Sequence, residues 1–319
     1  MNPYQMVIAC TNQKGGCSKT TTAVNLATVL SEGNPKMGIP PRKVLLVDLD
    51  PQGNASTSFG IDKSKINRTV YDLLMNDLGE ELPVLDEYLC HPEFISDQMQ
   101  KTWKKSYLNK KLPKKLKVDN LWLLPSNIQL SGAEIELATR IGRETRLKEG
   151  LASAMEEFDY IIIDTPPSLG LLTMNALAAA NWILIPVQTE YYALEGMSSL
   201  MNSIKLVQQR INPNLKLFGI ALTMFDKKTK LSKFVADEVR KYFEEQVFQT
   251  MVPRSTRVAE APRDGAPIVL LDNPIKRNKG SHAYWSLGRE VHNRVRKIRK
   301  KHGRTEKSKL QLSKIRAED

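Results

Sequence analysis

The chain has 319 residues, 41% of them hydrophobic and 26% charged, with a formal net charge of +12. That composition is ordinary for a globular protein, and the length suits one large α/β domain or two small ones. No run of about 18 apolar residues occurs, so no membrane-spanning helix is expected. MNPYQMVIAC, at the start, lacks the basic-then-apolar pattern of a secretory signal, and Cys10, Cys17 and Cys90 lack metal-type spacing and point to a reducing cytoplasm.

In chain order, MVIAC (6–10) reads as a buried strand and leads into TNQKGGCSKTTT (11–22), a glycine-rich loop. A helix, TTAVNLATVLSEG, follows, then a Pro/Gly loop (34–43) and a second strand, VLLVDLD (44–50). Residues of about 76–119 interrupt the plan and end in a lysine-rich run. LWLLP (121–125), YIIIDTPP (160–167), WILIPV (182–187) and LFGIALTM (217–224) are four further strands. Helical patterns lie at ETRLKEGLASAMEEF, GMSSLMNSIKLVQQR and KFVADEVRKYFEEQ. Short continuous apolar runs alternating with helices predict an α/β fold: a mostly parallel twisted sheet with helices on both faces. One domain over 1–292 is expected, carrying the 76–119 insertion, with a basic helix or tail at 293–319.

The glycine-rich loop departs from the standard phosphate-loop pattern G-x-x-x-x-G-K-[ST], because Gln13 and Ser18 occupy its two glycine places. It keeps the chemistry. Gly15 and Gly16 let backbone N–H groups approach phosphates, and the following helix adds the positive end of its dipole. Lys19 is placed to reach the β- and γ-phosphates, and the Thr20 hydroxyl to hold Mg²⁺. Asp48, Asp50 and Asp164 end two apolar runs, at the sheet edge where a magnesium–nucleotide site needs carboxylates. An additional lysine, Lys14, stands at the front of the loop.

The charge is uneven. Residues 98–118 hold eight lysines and no acid, and residues 294–319 hold eleven Lys and Arg against three acids. These two segments carry more than the whole net charge, so the remaining chain is slightly acidic. Such patches attract polyanions.

KGGCSKTTTAVNLA, VLLVDLDPQGNAS, PSNIQLSGAEIEL, YIIIDTPPSLGLLTMNALAAA, IPVQTEYYALEGMSSL, LTMFDKKTKLS and PRSTRVAEAPRDGAPI resemble, in that order, the ParA/Soj partition ATPases of the deviant Walker A class. The resemblance covers about residues 6–291 and implies a P-loop NTPase that uses ATP and Mg²⁺. It implies nucleotide contacts from Lys14, Gly15, Gly16, Cys17, Ser18, Lys19, Thr20 and Thr21, with Met224 and Pro253 bordering the adenine. Thr20, Asp48 and Asp164 would serve Mg²⁺, and Asp50 would position the attacking water. Lys14 would cross the interface of an ATP-bound homodimer to the partner's phosphates, acting as an arginine finger does. Cys17 and Ser18 stand where the family usually has Val and Gly. Cys17 next to Lys19 raises the possibility of a reactive thiol, although a small buried hydrophobe is the simpler reading.

The same resemblance implies non-specific double-stranded DNA binding, through Lys205, Arg254, Arg257, Lys276 and Arg277, by phosphate contacts alone. A ParB-like partner would stimulate hydrolysis and release, making the protein a cytoplasmic, nucleoid-associated DNA segregation ATPase. The alternative is a MinD-like membrane-positioning ATPase. Its amphipathic anchor needs a strong apolar face, whereas RVRKIRKKHGRTEKSKLQLSKIRAED is too polar, so no stable membrane anchor is expected. A metabolic enzyme on the same loop is a further rival, and its iron–sulfur form lacks suitably spaced cysteines.

Overall fold

The structure, a computed structural model, describes residues 6–76, 84–107, 113, 116–191, 193–271 and 278–318, with side chains through Lys301. Six strands, β1 (Met6–Cys10), β2 (Val44–Asp48), β3 (Leu121–Leu124), β4 (Tyr160–Asp164), β5 (Trp182–Gln188) and β6 (Lys216–Thr223), form one sheet in the order β3-β2-β4-β1-β5-β6. Every pairing is parallel. β1, β2 and β4 are buried along their whole length, which is why their sequences run continuously apolar instead of alternating.

Side chains still alternate between faces with a period of two. Met6, Ile8, Val44, Leu46, Tyr160 and Ile162 belong to one core, while Val7, Ala9, Leu45, Val47, Ile161 and Ile163 belong to the other. The first core is covered by α1 (Lys19–Glu32), by the helix Pro92–Ser106 and by the C-terminal helix Lys279–Glu318. The second is covered by helices that include Leu171–Ala179, Ala193–Arg210 and Lys230–Phe243.

Three local features differ from the sequence expectation. Helix 144–158 is two short pieces, Arg146–Gly150 and Ala154–Glu157. The first ends at Gly150, where an added Cβ would lie 2.8 Å from Leu73 Cγ. Within the expected insertion, the helix Pro92–Ser106 buries Ile95, Met99 and Trp103 in the same core as α1, so this part of the segment supplies core packing as well as surface charge. Its lysines at 110, 111, 114 and 115 lie outside the described residues. The C-terminal helix begins at Lys279 and runs across the expected boundary at 292. Tyr284, Leu287, Val291 and Val295, spaced three or four apart, form its buried stripe. Gly288 lets it approach α1, since a Cβ there would lie 2.3 Å from Val29 Cγ1.

From β1 the chain crosses to β2 on one side, and from β4 it crosses over β1 to β5 on the other. β1 therefore sits at the switch point, where ligands of open α/β sheets bind beyond the strands' C-terminal ends.

Candidate functional site

Sheet register assembles the acidic edge. Asp164 at the end of β4 pairs in register with Cys10 on one side and with Asp48 on the other. Two carboxylates thus lie side by side below the loop that leaves β1. Both are fully buried. Asp48 Oδ2 accepts hydrogen bonds from the Ser56 N–H (2.9 Å) and hydroxyl (2.8 Å). Asp48 Oδ1 has no hydrogen-bond partner, and neither Asp164 oxygen has one in good geometry, although the Thr20 hydroxyl stands close enough to offset part of the rise of its carboxyl. Burial pushes Asp48 up to about 6, despite the Ser56 bonds. It raises Asp164 well above the carboxylate range, and the neighbouring Asp48 raises it further. Orphaned, desolvated carboxylate oxygens call for a cation or its bound waters.

The loop is pinned at several points. Thr223 Oγ1 donates to Cys17 O (3.1 Å), Thr165 Oγ1 to Cys10 O (3.1 Å) and Asn12 Nδ2 to Pro186 O (2.7 Å). Gly16 (φ +73°) and Ser18 (φ +67°) are both left-handed. Ser18 is the N-cap of α1, and its side chain makes no capping hydrogen bond. A serine therefore holds a conformation that costs an L-residue roughly 1–2 kcal/mol, at the place where the standard pattern has glycine. Lys19 is buried and folds back, its ammonium donating to Lys14 O (3.1 Å). Asp50 Oδ1 accepts from Gln52 N (2.9 Å) at the turn leaving β2.

A cleft of about 730 Å³ opens over this edge, within the range of nucleotide-sized sites. Gly15, Gly16, Ser18, Lys19, Thr20, Thr21 and Asp50 line it from below, and Met224, Pro253 and Arg254 from one side. Met224 is also left-handed (φ +50°), and a bridge between Phe225 and Pro253 joins the two flanking segments. Asp48 and Asp164 lie buried beneath this lining and are not part of it, and two of the sequence-derived nucleotide contacts face elsewhere. Cys17 points into the core, 1% exposed, and burial raises its thiol in spite of Lys19. Lys14 is turned to Glu190, with Nζ–Oε2 at 2.8 Å. Glu190 was not singled out from the sequence. It lies in the TEYYALEG stretch, and only the folded chain brings it to the loop, with Gln188 on its other oxygen. Ser56 is a second such residue, eight positions after the carboxylate it holds.

Among the described residues no cluster of three or more His, Cys, Asp or Glu could hold a metal unaided. The donor set of Thr20 with Asp48 and Asp164 suits Mg²⁺, which keeps waters and takes phosphate oxygens as ligands.

Of the proposed DNA contacts, Lys205 is exposed on the helix Ala193–Arg210, and Arg254 is exposed at the cleft rim. Arg257 is engaged with Asp264 (3.3 Å) and Glu260 (3.5 Å). Asp264 is fully buried and also accepts from the Tyr107 hydroxyl at 2.6 Å. Lys276 and Arg277 lie outside the described residues. Among the described residues no helix is long and apolar enough to cross a membrane.

A family model described as an AAA domain matches residues 5–217. The chain is 45% identical over 285 residues to the sporulation initiation inhibitor protein Soj of Bacillus subtilis, across 89% of this chain and 97% of that protein. It is 46% identical over 285 residues to the chromosome partitioning protein ParA of Myxococcus xanthus, across 89% and 87%. Among solved structures it is similar to cobyrinic acid a,c-diamide synthase from Mycobacterium smegmatis with bound ADP and magnesium. That match has a TM-score of 0.66 and 33% identity, and spans 89% of this chain and 92% of that one. A putative plasmid partition protein from Borrelia burgdorferi bound to AMPPNP shares the fold, with a TM-score of 0.62 and 22% identity over 93% and 99% of the two chains.

Proposed function

The chain belongs to the ParA/Soj family of partition ATPases, and from that membership we propose that it hydrolyses ATP to ADP and phosphate to drive DNA segregation, switching between a free monomer and an ATP-bound homodimer that holds DNA. ATP enters the cleft with its triphosphate on the N–H groups of residues 15–20 and its base between Met224 and Pro253. Lys19 reaches the β- and γ-phosphates. Bound Mg²⁺ supplies neutralisation of the phosphate charge, held by Thr20, with Asp48 and Asp164 acting directly or through water. Asp50 orients the attacking water, which takes the γ-phosphoryl group in line.

The observation that carries the dimer reading is the position of Lys14. It stands at the front of the loop, outside the cleft lining, with its ammonium on Glu190 instead of over its own phosphate cradle. A lysine placed there is available to a second subunit's triphosphate, where it offsets developing charge in trans. ADP removes the γ-phosphate that this lysine meets, so hydrolysis separates the subunits. The dimer sets Lys205 and Arg254 of both subunits side by side and so raises DNA affinity through phosphate contacts. A ParB-like partner stimulates hydrolysis and release on the nucleoid. Sedimentation of Asp50→Ala with ATP and with ADP tests this: a dimer with ATP alone is expected, and a monomer in both states refutes the switch.

A further inference from the structure

We propose that Lys63 is a positioning residue for ATP hydrolysis: its ammonium grips the turn that carries Asp50 and so aims that carboxylate at the attacking water. The inference rests on the ATPase reading above and deepens it. Asp50 stands two residues past the end of β2, where no strand register fixes it. Its aim therefore depends on local bonds.

The turn Asp50–Gly53 closes with Gly53 N donating to Asp50 O (2.8 Å), and Gln52 N donates to Asp50 Oδ1 (2.9 Å). The second bond fixes the plane of the carboxylate and leaves Oδ2 for the water. The Lys63 ammonium donates to Gln52 O. That oxygen and the Gly53 N–H belong to one peptide unit. A cation on the oxygen polarises the unit and makes its N–H a stronger donor, so the charge of Lys63 is felt at Asp50 O. The lysine stem is fitted to the same turn. Gly53 is left-handed (φ +59°), and a Cβ on it would lie 2.7 Å from Lys63 Cδ.

Lys63 is itself held from both sides. Ile61 N donates to Ser56 O (3.3 Å), on the short helix Asn54–Thr57 whose Ser56 hydroxyl also holds Asp48. Asp62 accepts from Ser64 N (3.2 Å) and pairs with Lys65 (3.1 Å). Asp62 is thus engaged by its other neighbours, and Lys63 has no carboxylate partner among the described residues, which leaves its charge to the carbonyl. Residues 48–63 in this way tie the acid assigned to Mg²⁺ and the acid assigned to water into one unit. Asp50 and Gln52 line the cleft and Lys63 does not, so Lys63 acts through the turn and not by touching nucleotide.

The test is single-turnover hydrolysis of γ-labelled ATP with Mg²⁺ and the full-length protein in excess, beside AMPPNP affinity and thermal melting. Lys63→Met keeps most of the stem and removes the charge. It is expected to slow hydrolysis by about tenfold or more, with AMPPNP affinity within about twofold of wild type. Its melting temperature should stay within about 2 °C, because Lys63 is half-buried and water replaces it on the carbonyl. Lys63→Arg is expected to restore most of the rate. Added to Asp50→Ala, Lys63→Met should slow hydrolysis no further, since both changes act on one group. A wild-type rate in Lys63→Met overturns the inference and leaves the ATPase reading intact. So does a loss that multiplies that of Asp50→Ala, or one matched by equal losses of AMPPNP affinity or stability. No hydrolysis by the wild type, or Asp50→Ala as fast as wild type, overturns the reading and the inference together.

Discussion

Lys14 and Glu190 form an ion pair of 2.8 Å at the front of the phosphate loop, with both side chains partly exposed. The proposed dimer needs the same ammonium for the other subunit's phosphates, so this pair competes with assembly. An exposed pair is worth about 0.2–1 kcal/mol. Glu190→Gln should therefore promote ATP-dependent dimerisation by about 1.4- to 5-fold, seen as an ATPase rate that rises at lower protein concentration. A rate whose concentration dependence matches wild type shows that Glu190 does not restrain Lys14.

Ser18 occupies a left-handed conformation without a capping bond to offset it. Ser18→Gly relieves that strain, and the greater freedom of glycine in the unfolded chain takes back part of the gain. The net expectation is a stabilisation of about 1 kcal/mol or less, or a melting temperature about 2 °C higher. A lower melting temperature contradicts the strain.

The buried acids make stability depend on pH in a stated direction. Asp48 titrates at about 6 in the folded chain against an ordinary 3.8, and Asp164 is shifted the same way. A raised carboxylate binds more protons folded than unfolded, so its favourable contribution is complete below about pH 4 and is lost as pH rises through about 6. For Asp48 this amounts to about 3 kcal/mol. The stabilisation by Mg²⁺ with nucleotide should grow from pH 5.5 to 7.5, because the acids must ionise to serve the metal. Asp164→Asn should melt higher than wild type at pH 7.5 without nucleotide, should lose that advantage near pH 4, and should lose the Mg²⁺-dependent increment. Thermal melts across pH check all three.

Arg257 and Lys205 should separate cleanly. Removing Arg257 leaves buried Asp264 with fewer partners, a cost of about 1–3 kcal/mol, so Arg257→Ala should lower the melting temperature by several degrees. Lys205→Ala, on an exposed helix face, should leave stability unchanged and reduce the salt slope of ATP-state DNA binding by about 1. An Arg257→Ala protein as stable as wild type, with a reduced slope, makes Arg257 a DNA contact and not a brace.

Strand positions and sheet direction were legible because buried parallel strands are continuous apolar runs, and YIIID and VLLVD end on the carboxylates that register then brings together. The phosphate loop was legible from local chemistry in the same way. The helix Pro92–Ser106 was hidden because its buried positions, Ile95, Met99 and Trp103, are spaced among charged residues that read as insertion. The Lys14–Glu190 pair and the Tyr107–Asp264 hydrogen bond join residues far apart in sequence, and no periodicity signals such pairs. The close packing of Gly150 against Leu73 likewise joins two elements distant in sequence.

The central claim is that ATP gates DNA binding through a dimer. The most direct test is the affinity of wild type and Asp50→Ala for random-sequence duplex with ATP, with ADP and without nucleotide, across a salt series. The account predicts that ATP tightens binding and steepens the salt dependence relative to ADP, and that Asp50→Ala retains the ATP-bound affinity because it cannot turn over. Equal affinity and equal slope with every nucleotide would contradict it, and would leave the basic segments as the sole hold on DNA.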